Sequence, residues 1–221
     1  MMVLRALPGV LVRSARSNLV ESMAMDHPEV STESRAAIFL DRDGVINVKL
    51  PENQYVSDPS QFELLPGVVD ALAILRKLGY LLVVITNQRG IARGFMTEGD
   101  LHSVHAHMAE VLFRNGIELD LVYHCPHDEG DPSCDCRKPK PGMILRAGEE
   151  LDCDLSRSYM VGDSTGDVEA GRNAGVRTVR IAEEEDPSAD LVFRTLLDFA
   201  LFLETTNAAA GLRDRAAPGD R

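Results

Sequence analysis

The sequence has no long apolar run and is short of basic residues. None of its apolar stretches approaches the about 18 residues that a membrane-spanning helix needs, so we expect no membrane span. Only 23 Lys and Arg stand against 35 Asp and Glu, which gives a formal net charge of −12. This charge would repel a nucleic acid or an anionic membrane on average, so neither is an expected partner. An anionic ligand would need a local basic pocket.

Cysteine is also scarce, and its placement is uneven. Of the four cysteines, Cys125, Cys134 and Cys136 lie in a segment that also contains His127, while Cys153 stands apart. Clustered cysteines beside a histidine are spaced for a metal rather than for a set of disulfides. This usage fits a reducing compartment, so we expect a cytoplasmic protein in which Cys153 is a structural thiol.

Length and composition indicate one globular domain with an extension at each end. A chain of 221 residues that is 44% hydrophobic is long enough for one sizeable core. The first 20 residues contain three arginines and no acid, which also fits a transit-like segment, but no convincing cleavage site follows. We therefore expect a disordered extension over 1–34, a domain over 35–205 and a disordered tail over 206–221.

Buried strands alternate with helices along the domain, which predicts a doubly wound α/β fold with a mainly parallel sheet. The predicted strands are 36–40, 80–85, 119–123, 159–161, 176–181 and 190–193. The predicted helices are 66–78, 97–114, 141–151, 166–174 and 195–204. Local signals support the helix starts, such as the capping box that Thr97 and Asp100 can form.

The first strand ends in two carboxylates, Asp41 and Asp43, followed by Gly44. Side chains two residues apart in an extended chain point to the same side, so both should project from the carboxyl end of the strand. Open α/β sheets bind their ligands at that edge. Taken alone, a solvated turn would explain the pair equally well.

Other strands bring polar groups to the same edge. Thr86 and Asn87 follow the second strand, and Asp163 follows the fourth. Arg137 and Lys138 stand just before a helix. Turn chemistry and helix capping remain an alternative for Thr86 and Asn87. The convergence of all these groups nevertheless indicates a functional site.

Two short pairs, Cys125-x-His127 and Cys134-x-Cys136, offer three thiolates and one imidazole. That ligand set closes a tetrahedral Zn²⁺ site, and a closed site is structural. The loop between the pairs is too poor in apolar residues to form a core, so zinc would hold its shape. The pairs are spaced more tightly than usual, which leaves reduced, metal-free residues as the alternative.

The motifs and their order resemble those of the haloacid dehalogenase-like phosphatases, with matches at 39–45, 85–87, 138–141 and 161–167. More narrowly, the segment 86–94, the two metal-ligand pairs and the segment 136–143 resemble the D-glycero-D-manno-heptose 1,7-bisphosphate phosphatase family. Histidinol-phosphate phosphatases are close relatives with the same pattern. The resemblance implies a Rossmann-like fold with a zinc-bound loop. Neither usual cap position has room for an extra domain, so we expect a capless, open site.

The resemblance implies a Mg²⁺-dependent phosphatase. Asp41 would be the nucleophile that forms an aspartyl-phosphate, and Asp43 the general acid and base. Asp41, Asp163 and the backbone carbonyl of Asp43 would hold Mg²⁺, while Asp167 would lie outside the ligand set or stabilise a helix N-terminus.

Phosphate-binding groups are expected on two segments. The resemblance implies this role for Thr86 and Asn87 and for the pair Arg137 and Lys138. Lys138 is preferred over Lys140 because the family's lysine precedes a Pro-x-Pro motif. Arg137 would reach the same phosphate or a second one, which suits a bisphosphate.

The expected reaction is the hydrolysis of the 7-phosphate of a heptose 1,7-bisphosphate. One alternative is a histidinol-phosphate phosphatase with the same chemistry and a different rim, and another is a non-catalytic, zinc-stabilised ligand-binding module. Arg93 is expected either to touch substrate or to be solvated. His102, His105 and His107 are expected on an ordinary solvated helix face. The acidic surface, without an apolar stripe, favours a monomer.

Overall fold

Six parallel strands form one sheet in the computed structural model, which describes residues 34–216, with side chains through residue 208. The strands are β1 (Ala37–Leu40), β2 (Leu81–Asn87), β3 (Leu121–Cys125), β4 (Tyr159–Gly162), β5 (Arg177–Ile181) and β6 (Leu191–Phe193). The helices are α1 (Val68–Lys77), α2 (Glu98–Arg114), α3 (Gly142–Glu150), α4 (Thr165–Ala174) and α5 (Leu196–Ala216).

The strand order is β3-β2-β1-β4-β5-β6, so the direction of winding reverses between β1 and β4. Leu40 at the end of β1 pairs with Val84 of β2 and with Val161 of β4. The carboxyl ends of the three strands therefore lie at the same edge of the sheet, with β2 extending to Asn87 beyond the end of β1. This is where open α/β sheets form a crevice for a ligand. The prediction of a doubly wound parallel sheet is confirmed.

Two hydrophobic cores lie on opposite faces of the sheet. Ile38 and Leu40 of β1 pack into one core, which also contains buried residues of α1, α2 and α5. Ala37 and Phe39 pack into the other, with buried residues of α3 and α4. Because both faces are covered, the central strands β1, β2 and β4 are largely apolar and carry their functional polar groups where they end.

The carboxyl-terminal ends of three elements lie two or more residues beyond their predicted positions. β2 continues through Thr86 and Asn87, and β3 begins two residues later and ends at Cys125. α5 does not end at Glu204 but continues to Ala216. The three consecutive alanines after Asn207 are strong helix formers, which explains the extension into the predicted tail.

The insertions after β1 and β2 contain no further domain within residues 34–216. The first contains a short 3₁₀ turn, Pro59–Gln61, and the second leads into α2 through the predicted Thr97–Asp100 capping box. The edge of the sheet therefore stays uncapped, as expected. No described helix has the length and apolarity to cross a membrane. Residues 1–33 and 217–221 lie outside the described residues, so the predicted extension and the end of the tail stay predictions.

Candidate active site

Three carboxylates meet at the reversal point of the sheet. Asp41 follows β1, Asp163 follows β4, and Asp167 lies in the first turn of α4, and one oxygen of each lies within 4.8 Å of the others. Asp163 Oδ1 is buried and has no hydrogen-bond partner among the described residues, while Oδ2 lies 2.5 Å from the Nζ of Lys49. An unpartnered buried carboxylate oxygen beside other carboxylates fits a hard cation with oxygen ligands.

Two glycines allow these carboxylates to approach the strand ends. A Cβ on Gly44, which has a φ of 92°, would lie 2.5 Å from Oδ2 of Asp163. A Cβ on Gly162 would collide with the Cβ of Asp167 at 2.1 Å. Any larger residue at either position would push a carboxylate out of the cluster.

Lys138 lies at the centre of the site and is buried. Its Nζ is 2.9 Å from Asp41 Oδ1, 2.6 Å from Asp167 Oδ1 and 2.9 Å from the carbonyl oxygen of Ile85. Burial alone would lower the pKa of Lys138, but the two carboxylates outweigh it and raise the pKa above its ordinary value. Lys140 instead donates to the carbonyl of Cys134. Of the two candidate lysines, the structure brings only Lys138 to the carboxylates.

Asp41 has one engaged oxygen. Its Oδ1 accepts from the backbone N–H of Arg42 at 2.7 Å and contacts Lys138. Burial raises the pKa of Asp41 to about 7, with Asp167 and Asp43 adding to the effect and Lys138 opposing it. A cation bound at the carboxylate cluster would favour the ionised form.

Asp43 does not join the cluster with its carboxylate. Arg42 Nη2 donates to both of its oxygens, at 3.0 and 2.9 Å, and the amides of Asn47 and Gln88 each donate at 3.0 Å. Burial favours the neutral acid, but the charge of Arg42 and these hydrogen bonds outweigh it and lower the pKa of Asp43. The side chain is held in one place by three neighbours.

The end of β2 contributes two residues to the pocket lining, and one of them also holds the backbone of Lys138. Thr86 Oγ1 accepts from Gln88 Nε2 at 2.9 Å and lines the pocket. Asn87 donates to the carbonyl of Lys138 at 3.0 Å and accepts from its N–H at 3.1 Å. Asn87 thus clamps the backbone of Lys138 beside Asp41.

The pocket above these groups has a volume of about 240 Å³. Its floor is made by the groups described above, and its rim by residues 49–56. Arg137, expected at a phosphate, and Arg93, expected either to touch substrate or to be solvated, both contact the segment of the metal-ligand pairs. Arg137 donates to the carbonyl of His127 and pairs with Glu129, each at 3.2 Å, and Arg93 pairs with Asp128 at 3.0 Å.

The four metal-ligand candidates are brought together at the end of β3. Cys125 Sγ is 3.5 Å from His127 Nδ1 and 3.6 Å from Cys134 Sγ, while Cys136 Sγ is 3.5 Å from Cys134 Sγ and 3.3 Å from His127 Nδ1. A tetrahedral ion with bonds of about 2.0 to 2.3 Å would place its ligand atoms roughly 3.5 to 3.8 Å apart. The geometry therefore fits a closed tetrahedral site. Cys153 lies outside it.

The expectation of a solvated histidine face on α2 is wrong for His105. Its side chain is 1% exposed, and its Nε2 lies 3.2 Å from Nη1 of Arg42. Burial, and then the charge of Arg42, lower its pKa well below 6.5. His105 shares a helix face with Leu101, Val104 and Met108, and this spacing is the signal that could have placed it inside.

Sequence reasoning also missed Arg42, Asn47, Lys49 and Gln88. Arg42 and Gln88 stand directly beside the motif residues Asp41, Asp43 and Asn87, so their positions were an available signal. Asn47 and Lys49 lie in an irregular segment whose path back over the strand end is set by contacts with residues farther along the chain, including the backbone bond from Val48 to Glu63 and the ion pair of Lys49 with Asp163.

The fold and the carboxylate cluster define a haloacid dehalogenase-like hydrolase, and the HAD-hydrolase-like family model matches residues 135–196. The chain is 44% identical over 179 residues to the D-glycero-beta-D-manno-heptose-1,7-bisphosphate 7-phosphatase of Escherichia coli (strain K12), covering 75% of this chain and 92% of that protein. The protein of that name from Yersinia pestis is 42% identical over 180 residues, covering 76% and 94%. The chain belongs to the heptose-1,7-bisphosphate 7-phosphatase family.

Two further comparisons agree with this placement. The Campylobacter jejuni relative, named for the alpha anomer of the same substrate, is 39% identical over 170 residues, covering 76% of this chain and 95% of that protein. Among solved structures, the D,D-heptose 1,7-bisphosphate phosphatase from B. bronchiseptica, complexed with magnesium and phosphate, matches with a TM-score of 0.70 at 33% identity. That match covers 77% of this chain and 99% of the other.

Proposed function

We propose that this protein hydrolyses the 7-phosphate of D-glycero-D-manno-heptose 1,7-bisphosphate, giving heptose 1-phosphate and inorganic phosphate. The observation that carries the proposal is the contact of buried Lys138 with Asp41 at the floor of an open pocket, in a chain 44% identical to a protein named for that activity. The proposed partner is thus a phosphorylated sugar.

Asp41 is the proposed nucleophile. Because Lys138 and the Arg42 N–H engage Oδ1, Oδ2 is the oxygen that forms the bond to phosphorus. The bond from phosphorus to the sugar oxygen breaks, and a water molecule then attacks the aspartyl-phosphate to release phosphate and restore Asp41. Thr86 and Lys138 bind the transferring phosphoryl group, and Asn87 keeps Lys138 in place.

Asp43 is the proposed acid and base. It gives a proton to the leaving sugar oxygen in the first step and takes one from water in the second. The contacts with Arg42, Asn47 and Gln88 favour its charged form. An incoming phosphate favours the protonated form of Asp43 instead, because a nearby negative charge raises the pKa of a carboxyl.

Two metals fit the residues present. Asp41, Asp163 and the backbone carbonyl of Asp43 would hold Mg²⁺, which offsets the repulsion between a carboxylate and a phosphate when bound. The B. bronchiseptica phosphatase is complexed with magnesium and phosphate, which supports this choice. We assign Zn²⁺ to Cys125, His127, Cys134 and Cys136, because that ligand set closes a tetrahedral site.

The proposal is tested by kcat/KM at fixed Mg²⁺ for both anomers of the heptose bisphosphate and for histidinol phosphate. We expect one heptose anomer to be preferred over histidinol phosphate by a hundredfold or more, equal to about 2.7 kcal/mol of transition-state discrimination. Preference for histidinol phosphate would overturn the substrate and keep the roles of Asp41 and Asp43. An Asp41→Asn variant that retained full turnover would overturn the mechanism.

A further inference from the structure

Arg42 is fully buried beside the general acid. Its side chain is 0% exposed, and its Nε and Nη2 contact the Asp43 carboxylate at 3.3, 3.0 and 2.9 Å. A guanidinium has five N–H donors and no acceptor, so a buried one needs a partner for each of its nitrogens. Asp43 supplies partners for two nitrogens, and Nη1 needs another.

His105 of α2 supplies that partner. Its Nε2 lies 3.2 Å from Nη1 of Arg42. Since Arg42 can only donate, Nε2 must accept, and the imidazole must be the neutral tautomer with its proton on Nδ1. The lowered pKa of His105 agrees with this state.

Neighbouring side chains hold the imidazole in place. Its ring packs at 64° to that of His124, with the centroids 5.9 Å apart, and His124 Nε2 lies 2.9 Å from Glu98 Oε2. Val104 and Met108 of the same helix are fully buried beside it. His105 is therefore built into the core with its acceptor aimed at Arg42.

We propose that His105 is a positioning residue for the proposed acid: it fixes Arg42, and Arg42 fixes the Asp43 carboxylate. Without an acceptor at position 105, Nη1 of Arg42 would be left unpaired in the core, and the guanidinium would have to turn to find another partner. Turning would break its two-oxygen contact with Asp43. The inference rests on the acid role of Asp43 proposed above.

The chemistry of the leaving group separates this role from a merely structural one. A sugar alkoxide leaves slowly unless it receives a proton, whereas p-nitrophenolate leaves readily without one. Asp43 also acts as the base in the second step, which is the same for both substrates, so the discrimination lies in the first step, which kcat/KM reports. A misplaced Asp43 should therefore lower kcat/KM for the heptose bisphosphate much more than for p-nitrophenyl phosphate. A general loosening of the fold would slow both substrates alike.

The experiment compares kcat/KM for these two substrates in the full-length, Mg²⁺-loaded protein. His105→Leu should lower kcat/KM for the heptose bisphosphate by roughly tenfold or more and for p-nitrophenyl phosphate by less than about twofold. His105→Gln, whose amide oxygen can accept from Arg42, should restore most of the loss. Val104→Ala, a buried truncation on the same helix, is the stability control and should leave the ratio of the two rates unchanged.

Three outcomes would overturn the inference. His105→Leu could slow both substrates equally, or Val104→Ala could change the ratio as much as His105→Leu does, and either result would reduce His105 to a core residue. The third concerns Asp43→Asn: if that variant leaves the ratio unchanged, the acid role itself is wrong. A changed ratio in Asp43→Asn without one in His105→Leu would leave the proposed function intact and reject only the role of His105.

Discussion

Each buried charged side chain in this site has a specific partner of opposite charge. Lys138 and Arg42 are both buried cations, and each one is paired with a carboxylate that we assign to the chemistry, Asp41 or Asp43. A buried charge is tolerated when it is paired and hydrogen-bonded, and removing one partner leaves the other uncompensated. Removing one member of either pair should therefore destabilise the fold as well as disturb the site.

Replacement of Lys138 by methionine should impair both catalysis and stability. The loss of a cation beside the transferring phosphoryl group should lower kcat by roughly 10² to 10³. Asp41 and Asp167 would remain as buried carboxylates without their partner, which should cost roughly 3–5 kcal/mol of unfolding free energy. Steady-state kinetics and urea unfolding measure the two effects.

Lys140→Met is the matched control, because the Nζ of Lys140 contacts the Cys134 carbonyl rather than the carboxylates. Its kcat should stay within about twofold of the unmodified protein. Equal losses in both variants, or full activity in Lys138→Met, would show that the wrong lysine has been assigned.

The buried neutral state of His105 predicts a stability that falls in mild acid. Its folded pKa lies well below 6.5, so between these values the unfolded chain binds a proton that the folded chain does not. The stability that comes from keeping His105 neutral is fully present above pH 6.5 and is lost as the pH falls from 6.5 towards the folded pKa. His105→Gln should remove up to about 1.4 kcal/mol per pH unit from the slope of unfolding free energy against pH.

Urea unfolding at several pH values measures this slope, and His102→Gln, at an exposed position of α2, is the control. Identical slopes in the unmodified protein and His105→Gln would contradict the buried neutral state.

At the scale of elements, the metal-ligand loop connects the sheet to the catalytic lysine. Cys125 ends β3, and Cys136 stands two residues before Lys138. Arg93 and Arg137 also hold this loop through Asp128, Glu129 and the carbonyl of His127. The loop therefore sets the position of Lys138 from one side, as Asn87 does from the other.

Loss of the proposed zinc should reduce stability and activity together. Cys134→Ser, or chelation followed by return of Mg²⁺ alone, should lower Tm by roughly 5 °C or more, which corresponds to about 2 kcal/mol for a chain of this size. Activity should fall with it, because Lys138 follows the loop. Cys153→Ser removes a thiol outside the cluster and should change neither quantity. If activity were lost with an unchanged melting curve, the metal would not be structural.

At the scale of the whole molecule, every residue assigned to the site lies between Asp41 and Asp167. These residues belong to the sheet and to the segments that join its strands. One copy of the chain can therefore supply all of the assigned site residues. The net charge of −12 also repels other copies of the chain at low salt, so we retain the prediction of a monomer.

Removal of residues 1–22 should leave kcat and KM unchanged, since none of the assigned site residues belongs to that segment. The shortened and full-length proteins should also elute as single chains in size-exclusion chromatography with light scattering. Kinetics on both proteins provide the test. A large fall in turnover would give the segment a role in the site, and a dimer mass lost on truncation would give it a role in assembly.

The sequence alone predicted the parallel sheet and the placement of Asp41, Thr86, Asn87 and Asp163 at one edge. These follow from local rules, because apolar runs that end in polar residues define strand ends and parallel strands align those ends. Segments without a periodic pattern were less predictable. The paths of Asn47 and Lys49 and the true end of β3 depend on contacts made far along the chain.

The sequence by itself thus determined the fold class, the motif residues and the ligand types of the metal loop, because each depends on the spacing of residues that are close together in the chain. Only the tertiary structure decided which partner each charged side chain takes. It placed Lys138 rather than Lys140 beside Asp41, sent Arg137 to the loop, and buried His105 against Arg42. Side-chain pairing of this kind depends on distances between residues up to about a hundred positions apart, and burial then decides which charges must be paired.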